Sequence, residues 1–240
     1  MATFIELVNE VNRRLNEVEL TTANFASSVG FYAHAKDAVN ASIRYLNQSE
    51  YEWPFNHNLQ TLTLTANQSR YAFPNDCKVI NFDSFRIRED ATIGNSTVRL
   101  TPLQYEDYLD KYVAQEYSTS SGQGLPNKVV QAPSLEFIVT PEPNEAYELL
   151  YEYYSFSADL VNHGDTTVVP DRFKHVITDG AMHYAYLFRG NTQDALVAKE
   201  KFDEGIKHMR SMLINRTRYV RSYLIPQNTG GGSRYGFSWL

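Results

Sequence analysis

Residues 59–65 read Leu59-Gln60-Thr61-Leu62-Thr63-Leu64-Thr65, and the hydrophobic period changes there. Thr61, Thr63 and Thr65 fall on one face and Leu62 and Leu64 on the other, the two-residue alternation of a half-buried strand. Upstream the period is helical. Phe4, Val8, Val11, Leu15 and Val18 recur at spacings of four and three, which predicts a helix over 3–18. After a polar break at Thr21–Asn24, a second helix is expected from about Phe25 to Gln48. Val29, Ala33, Val39, Ile43 and Leu46 form its stripe, and several alanines allow close packing.

Downstream the strand character persists. Tyr71-Ala72-Phe73 leads into a turn at Pro74-Asn75-Asp76, and Val79, Ile80, Phe82, Phe85 and Ile87 read as one or two strands. Thr92–Leu100 reads as the return strand of a hairpin around Asp90–Thr92. Thr101-Pro102-Leu103-Gln104 resembles a helix start, with Thr101 as cap and Pro102 in the first turn, so a helix is expected near 102–117. The stretch STSSGQG (118–124) is a loop. Lys128–Gln131, Leu135–Val139 and Tyr147–Tyr154 are further strands, punctuated by Pro141 and Pro143.

Helical periods return after Pro170. Phe173, Ile177, Ala181, Tyr184 and Phe188 form one stripe; Ala195, Ala198, Phe202, Ile206, Met209 and Leu213 form the next, after a break at Arg189-Gly190-Asn191. Each helical end is too short to bury its stripe alone. The expected fold class is therefore α+β. A four-helix bundle is built from both chain ends (1–50 and 170–216), with an antiparallel β-rich domain inserted at 51–169 and an extended C-terminal tail at 217–240.

The tail reads NRTRYVRSYLIPQNTGGGSRYGFSWL from Asn215 to Leu240. It joins four arginines and no acid to a glycine triplet (Gly230–Gly232) and an aromatic terminus. Such a segment cannot build a core, yet it carries large apolar side chains, so it is expected to order on a partner. The candidate docking residues are Arg216, Arg218, Tyr219, Arg221, Tyr223, Arg234, Tyr235, Phe237, Trp239 and Leu240. The plainer alternative is that the tail folds back over its own subunit.

Charge is distributed to match. The chain carries 22 Lys/Arg and 28 Asp/Glu, net −6. Six of the basic side chains and none of the acidic ones lie from Gly205 onward, so the first 204 residues hold 16 against 28, a net of −12. An acidic body with a basic end points to an acidic partner for that end. The body would repel phosphate. A DNA-binding module using Arg216, Arg218, Arg221 and Tyr219 is the alternative.

The remaining composition is restrictive. Among 240 residues, 17 are Tyr and one is Cys. Tyrosine suits half-buried sheets and interfaces alike. Cys77 alone forbids an internal disulfide and fits a reducing compartment. No run reaches the roughly 18 apolar residues of a membrane span, and MATFIELVNEVNRRL reads as an amphipathic helix rather than a signal peptide. Six scattered histidines show no metal-ligand spacing, and there is no CxxC pair or P-loop. No cofactor is expected. Glu50 and Glu52, flanking Tyr51, and Glu148 and Glu152 could be read as hydrolytic carboxylate pairs, but solvated acids on an acidic surface explain them as well.

Five elements in order resemble the head-to-tail adaptor (connector) proteins of tailed bacteriophages, also called tail tubular protein A in short-tailed phages. They are Trp53-Pro54-Phe55 after a helix; Tyr71-x-Phe73-Pro74-x-Asp76; Gly124-Leu125-Pro126 before a strand ending Val139-Thr140-Pro141-x-Pro143; the tyrosine-rich Tyr151–Tyr154; and Asp165 to Val169-Pro170 before the last helices. The resemblance spans about residues 25–215. The longer middle and extended tail depart from shorter members of that family.

The resemblance implies a ring of subunits, commonly twelve, beneath the portal vertex. Such a ring joins the portal protein to the tail nozzle (tubular protein B-like) and to fibres, and genomic DNA passes through it without sequence-specific binding. It implies a virion neck component assembled in the host cytoplasm and acting during DNA ejection. Some adaptor relatives are associated with peptidoglycan hydrolysis, for which Glu50 or Glu52 would be the candidate here. The resemblance itself transfers architecture rather than a catalytic site.

Overall fold

A computed structural model describes residues 1–88, 96–117 and 122–214. The hairpin turn expected at Asp90–Thr92, the first part of the loop from Ser118, and the tail from Asn215 with its glycine triplet lie outside the described residues.

The first helix, α1 (Phe4–Arg14), begins where Thr3 and Glu6 form a reciprocal capping box: Thr3 N–H donates to Glu6 Oε2 at 3.0 Å, and Thr3 Oγ1 accepts from Glu6 N–H at 3.4 Å. It is shorter than the 3–18 expected. Asn16 takes a left-handed φ of 57° just past the end, which stops the helix and leaves Val18 74 % exposed. The second helix, α2 (Phe31–Gln48), starts later than expected because Gly30, at φ 63°, sets its entry. The preceding turns still reach the core. Phe25 packs edge-on to Phe4 at 5.2 Å, and Lys36 Nζ donates to its carbonyl at 2.9 Å.

After a 3-10 turn at Pro54–Asn56, eight strands follow among the described residues. They are β1 (His57–Thr63), β2 (Arg70–Ala72), β3 (Cys77–Arg88), β4 (Thr97–Arg99), β5 (Thr101–Leu103), β6 (Lys128–Ala132), β7 (Glu136–Thr140) and β8 (Glu148–Ser155). Helix α3 (Tyr105–Lys111) lies between β5 and β6 and runs into a 3-10 turn at Val113–Tyr117. The expectation of a helix beginning at 102 is corrected. Thr101–Leu103 is a strand paired parallel to β6, and the helix opens only at Tyr105. Pro102 tolerates an edge strand as readily as a first helical turn, so the local signal was ambiguous.

The strands form two four-stranded sheets, β1-β8-β3-β4 (antiparallel) and β2-β7-β6-β5 (mixed, through the parallel β5–β6 pair). Between them lies an aromatic core. Phe85 stacks on Tyr151 at 4.8 Å and on Phe82 at 5.4 Å, and meets Phe137 edge-on at 5.2 Å. Helix α3 covers the other face of β6 and β7 through Tyr108, Val130, Ala132 and Ile138. Arg70 grips Glu116 through two hydrogen bonds of 3.1 Å, and Ser69 adds a third at 3.0 Å, tying the turn after α3 to β2.

The last two helices are α4 (Lys174–Phe188) and α5 (Thr192–Leu213). The expected four-helix bundle with one inserted antiparallel domain is overturned by the five helices and two sheets of the described residues, one sheet mixed, in an α+β fold. Helix α4 is the common partner against which α1, α2 and α5 all pack. Gly180 makes that possible. Ser42 Oγ and the Phe202 ring occupy the space a side chain would need, and Ser42 Oγ donates to Ile177 O at 2.8 Å. Connecting segments complete this core. Trp53, Leu160 and Val169 are all buried in it, and the Trp53 indole N–H donates to Leu46 O at 2.8 Å.

Candidate functional site

All ten residues singled out as docking anchors, from Arg216 to Leu240, lie outside the described residues. What is placed is their root. Helix α5 ends at Leu213, and Arg210 in its last turn faces the end of α2. Its guanidinium donates to Ser49 O and pairs with Glu50 Oε2 at 3.2 Å. Lys78, from β3, donates to Asn47 O and Glu50 O on the same helix end. Cations suit these carbonyls because the last turn of a helix leaves them unpaired and carries a partial negative charge. Burial pulls the Lys78 ammonium below lysine's ordinary range, and Glu50 partly offsets this. One helix terminus thus joins the first sheet, α2 and the helix that launches the tail.

The same geometry accounts for Glu50. Its carboxylate is engaged by Arg210, whereas Glu52 is exposed. Glu148 pairs with Arg88 at 2.6 Å and Glu152 with His57 at 3.3 Å. Glu50, Glu148 and Glu152 are thus each in contact with a basic side chain. Cys77, half-buried, has its thiol pushed up to about 11 by burial and by Asp76, which leaves little thiolate near neutral pH. The histidines are dispersed: His183 Nδ1 lies 2.8 Å from Ala195 O, and His34 stacks on Phe188 at 4.1 Å. No cluster of three or more potential metal ligands occurs among the described residues. No helix among them is long and apolar enough to cross a membrane.

A second surface emerges at the opposite kind of site, an open groove of about 670 Å³ between the two sheets. Phe82 from β3, Leu103 from β5 and Val129 from β6 line it, with Pro133 and Leu135 from the β6–β7 turn at its lip. Among the described residues, Glu106 of α3 is the one charged side chain on its wall. Leu135 was expected to begin a strand. It is instead the last residue of the three-residue turn Pro133-Ser134-Leu135, at φ 59°, its carbonyl accepting from Phe73 N–H at 3.0 Å. The signal that could have flagged it is a hairpin turn without glycine where a left-handed residue is wanted.

Comparison with known proteins adds one match. A family model described as SU10 adaptor protein matches residues 2–226, nearly the whole chain. No curated protein matches it.

Proposed function

The chain belongs to the SU10 adaptor protein family, a structural component of the phage neck and tail, and we propose that it forms a ring joining the portal to the tail and extending the DNA channel. The observation that carries this reading is the match over residues 2–226. The charge distribution supports it: a body of net −12 over its first 204 residues lets DNA pass without sticking. A ring also requires two different complementary surfaces on each subunit, because a heterologous contact repeated by rotation closes on itself. We take the ring to be dodecameric.

The portal side is reached by the tail. Arg216, Arg218, Arg221 and Arg234 supply cations for carboxylates, and Tyr219, Tyr223, Tyr235, Phe237, Trp239 and Leu240 supply anchors. The tail roots at Arg210, whose contacts hold α5 to α2, so the docking segment leaves from a fixed point. The sheets face the tail nozzle or fibres. The role is structural.

The test is removal of Tyr219–Leu240. The truncated chain should fold with an unchanged thermal midpoint, since α5 ends before the cut, yet fail to join the portal in a native-mass or sedimentation measurement. Unimpaired portal docking by the truncated chain sinks the tail assignment. A full-length chain that stays monomeric with purified portal sinks the adaptor reading itself.

A further inference from the structure

We infer that the groove between the sheets is the seat for an extended segment of a tail-side protein that carries an aliphatic or aromatic anchor between lysines or arginines. The inference rests on the adaptor reading and names the partner's chemistry on one face.

Three observations carry it. The first is Leu135. The third residue of a three-residue hairpin turn is normally glycine, because its φ is positive. Here a leucine holds φ 59° and is 73 % exposed. It contributes little to its own core and sits in backbone geometry that disfavours it, so its value lies in what approaches from outside. The second is the floor beneath it. Phe82 and Leu103 line the groove as half-buried side chains over the buried Val129, which makes an apolar slot beside an exposed apolar lip. Pro102, the middle residue of the edge strand β5, has no N–H to offer an added strand. The occupant is therefore held by inserted side chains rather than by sheet extension.

The third observation is charge. Glu106 and Asp110, one turn apart on α3, are both exposed, and neither makes an ion pair with a described residue. Like charges at that spacing repel. Among the described residues, no lysine, arginine or histidine lines the groove. An apolar slot with Glu106 on its wall, and with Asp110 one turn further along α3, complements an apolar anchor flanked by cations.

The test uses the full chain and two labelled ten-residue peptides that share a Leu-Trp centre, one flanked by arginines and the other by glutamates. Fluorescence anisotropy should show saturable binding of the arginine peptide, weakened by salt, and at least about tenfold weaker binding of the glutamate peptide. Leu135→Gly suits the turn's φ, so it should keep its urea midpoint and weaken the arginine peptide at least about tenfold; Leu135→Asn should do the same. Glu106→Gln with Asp110→Gln should flatten the salt dependence. Absence of saturable binding, equal binding of both peptides, or undiminished binding by Leu135→Gly overturns the assignment.

Assembly separates this inference from its premise. DNA-filled heads made with the Leu135→Gly chain should carry the adaptor but no tail. Tails at wild-type yield overturn the groove alone, whereas heads that never acquire even the wild-type chain overturn the adaptor reading.

Discussion

Gly180 stands where α2 and α5 both press on α4. Two effects oppose each other when it is replaced by alanine. Alanine favours a helix interior by about 1 kcal/mol over glycine. Against that, the new Cβ would run into Ser42 Oγ and lie 2.8 Å from the Phe202 ring, and overpacking of this kind costs roughly 1–3 kcal/mol. Packing wins, because both neighbours are themselves buried. Gly180→Ala should therefore lower the urea midpoint, at a net cost of up to about 2 kcal/mol. A midpoint that rises would show that the helices separate at little cost. Nothing in the sequence marked this glycine, because a glycine inside a helical stripe reads as a weakness until the approaching helices are seen. Leu135 is the converse: its type is visible in the sequence, but its turn is not.

Among the elements, the end of α2 and the segment after β8 bind the fold together. Lys78 holds two carbonyls at that helix end in a half-buried setting. Lys78→Ala leaves them without this donor and should cost about 1–3 kcal/mol in urea unfolding; an unchanged midpoint would show that water replaces the ammonium freely. In the second segment, Asp165 accepts from Asn162 N–H at 2.7 Å and Val161 N–H at 2.8 Å, and those bonds hold its carboxyl below its ordinary 3.8. The neighbouring Thr166 bridges to Thr3 at the start of α1. Because the native carboxyl loses its proton at lower pH than the unfolded one, its stabilisation is complete above about pH 4 and is lost as pH falls through the native value. Asp165→Asn should reduce stability at pH 7 and make the acid limb of the thermal-midpoint profile shallower; identical limbs would rule Asp165 out. The helical stripes of α5 and the alternation around Leu62 and Leu64 were legible because each follows a single period. The ends of α1 and α2 were not, because they depend on the left-handed Asn16 and Gly30.

For the whole molecule, the four terminal helices and the strand-rich middle follow from periodicity, and the order of short words such as Trp53-Pro54-Phe55 carries the adaptor resemblance that the family match confirms. The same chain could have closed a four-helix bundle with a separate antiparallel domain. It does not, because a fifth helix, α3, packs on the second sheet, and because β5 runs parallel to β6 to give a mixed sheet. The sequence by itself determined the α+β class, the element order and the acidic-body, basic-end polarity, all of which are local or additive properties of residues. Only the tertiary structure decided which helix is central, how the strands divide into two sheets and where an exposed leucine meets an apolar slot. Those outcomes depend on contacts between residues distant in sequence, which no local pattern encodes.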